Sequence, residues 1–440
     1  MIRWKGLRAL TAALGLLAGG ALAAPRPSLS LQEAIELAFA QNPDLAAAAA
    51  RIGEAEARVA EAEANFYPKV TARVDYSYSN NPALAFSNIV AQRRFNFGMD
   101  INHPGWVSNF RPEIVGSWNL YRGGQDSHLK KAAELGVEAA ELERAALRNR
   151  LASAVTAAYY ALLTAPKRVE VARQSIAAVE SELKHTRQRL AEGAALKADV
   201  LSLEVRAAEA HETELKTLNA VELARSALKS LLGTEPAELV EPKEHPGRLA
   251  GSFAQLFDQA LAQRPEMQAA AHQIQIRRAE LEAAKGARLP RINAYAAYGE
   301  NNRAPGYSFN RDNAAIGINA ELDLFTGGAL QARIAATERR LAEAEAVQQR
   351  IRLELEQEVR QAYTTLEEAR RRVEVAEAGA RAADAALRLV HEQYRGGAAT
   401  VTRYLEAESD RAQAALRAIV ARYEERVAEA RLKEAIGHWR

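Results

Sequence analysis

The side chains that could do chemistry are few and scattered. Cysteine is absent from the 440 residues, which excludes disulfides, thiolate metal sites, thiol nucleophiles and a cysteine-borne lipid anchor. His128, His185, His211, His272 and His391 are spread along helical stretches with no second His or carboxylate cluster at ligand spacing. His103 stands alone in a loop-like stretch, so metal binding is not expected. Glycine-rich phosphate loops and nucleophile elbows do not occur. Neither an enzyme nor a cofactor is therefore expected. What remains is ion pairing and turn making. Arg403 and Glu406 are three apart on a helical stretch, where their charges can meet. Asp199 stands where a carboxylate can cap a returning helix. Glycines mark the breaks: Gly123-Gly124 and Gly327-Gly328 in "NLYRGG" and "DLFTGG", and Gly193 and Gly396-Gly397 between helical runs.

These breaks repeat because the chain is written twice. "SLQEAIELAFAQNPDLAAAAA" from Ser30 is echoed by "SFAQLFDQALAQRPEMQAAA" from Ser252, an offset of 222. Beyond the first strand the offset becomes 204, carrying Tyr121 onto Phe325, "RVEVA" at Arg168 onto "RVEVA" at Arg372, and Gly193 onto Gly397. The difference of 18 residues lies between Pro68 and Tyr121 of the first copy. Such duplication sets the expected division: a first repeat over 24–233, a Pro/Gly-rich linker over 234–252, and a second repeat over 253–440. Each repeat reads helix, strand, strand, long helix, helix.

Strands are expected at about 69–79, 112–121, 291–301 and 314–325, where apolar and polar residues alternate. Val70, Ala72, Val74, Tyr76 and Tyr78 share one face, and so do Ile114, Gly116, Trp118 and Leu120. Ile292, Ala294, Ala296 and Tyr298, then Ile316, Ile318, Ala320, Leu322 and Leu324, continue the pattern. Runs of about ten such residues suit strands tilted across a bilayer, and the aromatic residues near their ends suit its interfaces. The helices carry a heptad. Val155, Leu162, Val169, Ile176, Leu183 and Leu190 recur by seven, as do Val359, Leu366, Val373, Ala380, Leu387 and Tyr394, so the long helices should pack as coiled coils. Pro166 should kink the first.

The N-terminus reads as a secretory signal peptide, residues 1–23. Arg3, Lys5 and Arg8 precede an apolar run, and Ala21-Leu22-Ala23 offers the cleavage frame. Net charge is +2 with both signs interleaved, which gives no basic patch for nucleic acid. An exported chain can still cross a membrane as a β-barrel. Four strands cannot close one, and an open sheet in lipid leaves edge groups unsatisfied at several kcal/mol each. Protomers must then share the barrel: two would supply eight strands, three twelve. The alternative is a periplasmic coiled-coil adaptor, which would also be exported and heptad-rich.

The order and duplication of these segments resemble the TolC-like outer membrane efflux protein family. The resemblance is carried by "NPDLAAAAARIGEAEARVAEAEANFYPKV" and its echo "RPEMQAAAHQIQIRRAELEAAKGARLPRI", by the two Gly-Gly turns, and by "RLAEGAALKADVLSLE" and "QYRGGAATVTRYLEAE". It implies a mixed α/β membrane protein in which four strands per protomer contribute to a trimeric, 12-stranded outer-membrane barrel. A long α-helical coiled-coil tunnel would continue the barrel into the periplasm. The partners implied are two further copies, outer membrane lipid, a periplasmic adaptor and an inner-membrane transporter. The helix hairpins at Gly193, Gly396 and Gly397 would be the tips that dock on the adaptor and form the tunnel's mouth. Gly123, Gly124, Gly327 and Gly328 would be the strand-to-helix joints. Asp199 and Tyr394 match a linking pair at that mouth, and Glu406 matches one acidic ring position. Arg403 stands where the family's other ring position is normally Asp, and Ala399 where a linking Arg can occur. Only half of an acidic ring is present. The extra stretch of the first copy, around 83–112, should lie on the extracellular side.

Overall fold

A computed structural model describes residues 28–242, 251–308 and 310–439. The expected signal peptide and residues 243–250 of the linker lie outside the described residues.

Each repeat begins with two helices where the sequence pattern suggested one. β1 (Ser28–Leu29) leads into α1 (Leu31–Gln41) and α2 (Pro43–Ala64). Ser30 and Glu33 form a capping box that starts α1. The break follows from Asn42-Pro43, because a residue before proline is driven out of the helical region. Asn42 accordingly sits at φ −67, ψ 127, and its Oδ1 accepts from Asp44 N at 2.9 Å to cap α2. After β2 (Lys69–Ser79) come a short helix α3 (Pro82–Ala91), β3 (Val107–Arg122), α4 (Gln125–Ala191) and α5 (Lys197–Leu232). β4 (Glu238–Leu239) pairs in parallel with β1, so the linker is part of the fold as well as a spacer. The second repeat then supplies α6 (Phe253–Gln263), α7 (Pro265–Gly286), β5 (Arg291–Glu300), β6 (Asp312–Glu321), α8 (Ala329–Arg395) and α9 (Val401–Ala435). Relative to expectation, β3 starts five residues early and β6 stops before Leu322, so "DLFTGG" begins after the strand has ended.

α4 and α8 each run 67 residues, about 100 Å at 1.5 Å per residue. Pro166 lies inside α4 without ending it. Two shorter helices lie end to end beside each long one. α2 is tied to the first part of α4 by Lys130–Glu63 at 2.8 Å, and α5 to its later part by Arg173–Glu214 at 2.8 Å and Arg187–Glu204 at 2.7 Å. α9 is tied to α8 by Arg372–Glu424 at 2.8 Å. α7 packs against both long helices, with His272–Glu138 at 3.0 Å on α4 and Arg278–Glu345 at 3.5 Å on α8.

The end-to-end junctions are built alike in both copies. Asn42 Nδ2 donates to Leu231 O at 3.0 Å, and Arg264 Nη1, from the matching position, donates to Glu434 O at 3.0 Å. Gly233 and Gly437, at φ +75 and +76, end this region; a β-carbon there would come within about 3.1 Å of the Gln41 and Gln263 backbone. Apolar clusters cement these levels. Leu29, Ala34, Val155, Tyr159, Leu228 and Leu232 fill the first junction, and Leu256, Val359, Leu366, Leu432 and Ile436 the second. Tyr159 is fully buried, and its hydroxyl lies 2.9 Å from Leu29 O and 2.5 Å from Val240 O, which joins the two short strands to α4.

The four longer strands form one antiparallel sheet in the order β2-β3-β5-β6. Both end strands, β2 and β6, have one unpaired edge within the protomer.

Candidate functional site

Strand register sorts the sheet's side chains into two unlike faces. Val70, Gly116, Ala296 and Ile316 lie in one row across the strands, and Ala72, Ile114, Tyr298 and Ala314 in the next. This face is apolar and uncovered: Val70 is 69% exposed, Ile318 70% and Ile316 87%. The opposite face carries Lys69, Ser117 and Tyr295 in one row and Asn119, Asn293 and Asn319 in another. On it Glu113 is buried between the guanidinium of Arg73, directly across the ladder, and that of Arg111 at 2.5 Å. Gly299, on the far side of Glu113, has no side chain to obstruct it. An exposed apolar face backed by a charged one is what lipid outside and water inside require. A bulge in β3 between Asn119 and Tyr121 brings Tyr121 opposite Ile292. Tyr121 therefore shares the apolar face, and Leu120 becomes the extra residue of the bulge.

The two strand-to-helix joints have the same backbone and different surroundings. Gly123, Gly124, Gly327 and Gly328 all have φ between +61 and +84, which only glycine adopts without strain. Gly123 lies backbone to backbone against Gly286 at the end of α7, so a β-carbon on either would overlap the other's carbonyl oxygen. Around Gly327 and Gly328 nothing lies within 4 Å of such a carbon. The first joint is closed by the chain itself; the second is open.

At the far end of the helices the two hairpin turns superimpose in their bonding. Gly193 and Gly397 both have φ +76, and Ala194 N and Ala398 N donate to Arg189 O and Gln393 O, each at 2.7 Å. Gly396 has φ −80, so the turn does not require glycine there. The returning helices start differently. Thr400 caps α9 with its hydroxyl, whereas Leu196 has no side-chain acceptor, and Asp199 Oδ2 accepts from Leu196 N at 3.3 Å instead. Arg403, which occupies the position matching Asp199, pairs with Glu406 at 3.3 Å in the open, both being more than half exposed. Tyr394 is buried, stacks on Tyr404 with ring centres 5.5 Å apart, and shares a hydrogen bond with Thr186 at 3.3 Å. Burial pushes the Tyr394 phenol up and that of Tyr404 up to about 12. Within one chain Asp199 and Tyr394 do not bond to each other; each has another partner.

The tip also holds groups that the motif reading passed over. Glu408 is completely buried where α5 meets α9, with Arg206 Nη2 at 3.7 Å and Arg411 Nη2 at 3.8 Å. Glu182 is buried beneath Tyr394 and accepts from Thr186 at 3.3 Å. Both lie on the apolar stripes of their helices, so a carboxylate inside a seam was the available signal. Among the described residues no group of three or more His, Asp or Glu side chains is arranged to hold a metal, and no helix is long and apolar enough to cross a membrane.

Comparison with known proteins places this geometry. The family model described as outer membrane efflux protein matches residues 34–234 and 256–438. The outer membrane efflux protein BepC of Brucella suis biovar 1 (strain 1330) is 26% identical over 359 residues, covering 75% of this chain and 78% of that one. CyaE of Bordetella pertussis is 26% identical over 351 residues, covering 78% and 70% respectively. Among solved structures, a membrane protein from Pseudomonas aeruginosa superimposes with a TM-score of 0.81 at 23% identity, over 92% of this chain and 90% of that one. The outer membrane protein VceC of Vibrio cholerae gives 0.76 at 20% identity, over 92% and 96%. The likeness in structure shows the fold, long helices joined to a four-stranded sheet. The chain belongs to the outer membrane efflux protein family. It is an outer membrane efflux channel, in a family of transport channels and not of enzymes.

Proposed function

We propose that three copies of this chain form one export conduit, a shared 12-stranded barrel in the outer membrane continued by a helical tunnel into the periplasm. The observation that carries this is the sheet: four antiparallel strands, one exposed apolar face, and an unpaired edge on each side. Alternation of direction makes β6 of one protomer antiparallel to β2 of the next, so the ring closes without a change of pattern. Two copies would give eight strands, a barrel whose interior side chains fill it. Three leave a lumen. Its wall would be the face bearing Lys69, Arg73, Glu113 and Asn119, which suits water-borne cargo.

The helix hairpins form the periplasmic mouth, with Gly193, Gly396 and Gly397 at tips that dock on an adaptor protein serving an inner-membrane pump. That pump supplies the energy for export; the sequence carries no glycine-rich phosphate loop. Asp199, Tyr394, Arg403 and Glu406 surround the entrance; each Arg403–Glu406 pair cancels, and Asp199 adds one negative charge per chain. The cargo is small molecules or proteins, the two classes exported through channels of this family. Because the chain has no cysteine, engineered disulfides test the ring cleanly. A cysteine at 71 or 73 on β2 combined with one at 313 or 315 on β6 should give covalent trimers on a gel, and the purified protein should conduct in planar bilayers. Failure of both would remove the channel reading.

A further inference from the structure

The insertion carried only by the first copy folds into α3, and its placement assigns it a task. Among the helices of the described residues α3 alone contains no charged side chain. Ala85 and Ile89 pack on Val107, with Met99 beside them. Val107 pairs with Ser79 and lies on the same strand face as Asn109, Arg111 and Glu113. α3 therefore lies on the polar face of the sheet, at the end remote from the tunnel.

It is fixed there at three strands. The fully buried Gln92 donates through Nε2 to Ser108 O at 2.8 Å and Asn109 Oδ1 at 2.9 Å. Asn109 Nδ2 passes the network to Asn301 Oδ1 at 2.8 Å, just beyond β5. Arg93 Nη2 reaches Asp312 O, the first residue of β6, at 3.0 Å. Arg93 has φ +54, the sole positive value at a non-glycine among the described residues, and such strain persists where surrounding contacts enforce it. The flanks of α3 and the turn after it carry bare apolar side chains on either side of the exposed Ser87. Leu84 and Val90 are about half exposed, Phe97 is wholly exposed, and Phe86, Phe95 and Phe97 meet edge to face at 5.5 Å.

We infer that α3 is a partial plug: three copies meet through Leu84, Val90 and Phe97 on the axis of the barrel and narrow its outer mouth, leaving a residual path for ions. This rests on the ring of three proposed above. The occupant of the bare face is the same helix of the two other protomers, and barrel dimensions support it. Twelve strands about 4.8 Å apart and tilted by about 40° give a circumference of about 75 Å and a radius of about 12 Å. Three helices about 10 Å across, side by side, need a circle of about 11 Å radius. The first radius runs to the strand backbone and the wall side chains take part of it, so three such helices crowd the outer mouth, where α3 sits, rather than stand free inside the barrel. A second such insertion, in the other copy, would bring six helices to a space that holds three.

The test uses the full chain in outer membranes. A cysteine placed singly by Leu84→Cys, Val90→Cys or Phe97→Cys is oxidised, and the strand-to-strand disulfides described above report trimers in parallel. At least one single cysteine should give a disulfide dimer, while Val74→Cys on the lipid face should give none. A second readout places Asn119→Cys on the inner wall and adds a bulky maleimide from outside the cell. Labelling should be slow, and Val90→Asn with Phe97→Asn, both exposed and harmless to folding, should speed it about tenfold or more. Trimers with no axial disulfide and equal labelling rates would overturn the plug. Absence of trimers in the strand-to-strand assay would instead overturn the ring, and the plug with it.

Discussion

Replacing Arg403 by Asp turns the entrance from weakly to strongly acidic, and the size of the effect can be worked out. Arg403 and Glu406 pair at 3.3 Å with side chains 57% and 58% exposed, so each pair is close to neutral and fully wetted. Arg403→Asp changes the charge by two per chain, six around a trimer. An ion on the axis about 10 Å from each group feels about 0.4 kcal/mol per unit charge in water, reduced to about 0.15 kcal/mol at a Debye length of about 10 Å. Six charges give about 0.9 kcal/mol, or about a fivefold enrichment of monovalent cations at 0.1 M salt. At 1 M salt the Debye length falls to about 3 Å and the enrichment all but vanishes. The assay is the reversal potential of single channels under a KCl gradient, for the native chain and the variant. Native channels should show weak selectivity; the variant should favour cations at 0.1 M and lose that preference at 1 M. A reversal potential unmoved by the substitution at low salt would place Arg403 away from the conduit and refute the reasoning. A shift that survives 1 M salt would refute the assumption that the pair is wetted.

Two further outcomes follow from the packing. Gly123→Ala should cost about 2–5 kcal/mol, combining left-handed strain with overlap on Gly286, and Gly327→Ala only about 1–2 kcal/mol from strain alone; thermal melting in detergent should rank them in that order. Tyr159→Phe should cost about 1–3 kcal/mol by removing the donor shared by Leu29 O and Val240 O. Burial raises the Tyr159 phenol to about 12, above the unfolded value near 10, so its contribution is complete below pH 10 and lost as pH rises from 10 to 12. Alkaline melting curves of the native chain should therefore steepen over that window relative to the Phe variant.

The periodic features were legible in the sequence because each had many residues to average over. The heptad seam Val155, Leu162, Val169, Ile176 and Leu183 is buried, and the alternating strands pair edge to edge across three ladders. Single-residue decisions were not legible. One proline ended α1, where Asn42 before it caps the next helix, whereas Pro166, preceded by the buried Ala165, sits inside α4 without breaking it. The bulge at Leu120 reversed the side on which Tyr121 stands, although nothing in "NLYRGG" announces an extra residue. At the hairpin tip, the carboxylate of Asp199 was visible as a cap as well as a gate candidate, and its bond to Leu196 N is the cap. Glu408 and Arg206 come together from α5 and α9, some two hundred residues apart, so no motif could join them.

Duplication explains how one chain would hold the instructions for the ring proposed above. Inside the protomer, the second copy meets the first through β5 on β3 and through α7 on α4. The surfaces left bare are the counterparts of that contact: the free edges of β6 and β2, the open joint at Gly327, and the exposed end of α2 at Ala64. The matching residues show the same incompleteness. Leu281, Ala284 and Gly286 on α7 are buried, while their counterparts Val59, Ala62 and Ala64 on α2 are half-buried or exposed. On α8 the seam at Val373, Ala380 and Leu387 is likewise only half-buried, where the matching seam on α4 is covered at Val169, Ile176 and Leu183. A contact made once within the chain is thus available to be made again between chains, by β2 and α2 of a neighbour against β6 and α8. The two contacts cannot be identical. Gly286 admits the backbone of Gly123, whereas Ala64 carries a methyl group that forbids so close an approach to Gly327. In the ring of three proposed above, six similar units would alternate between a tight joint and a looser one, which gives threefold symmetry, not sixfold. The looser joints, lying between chains, are where such a ring has room to adjust.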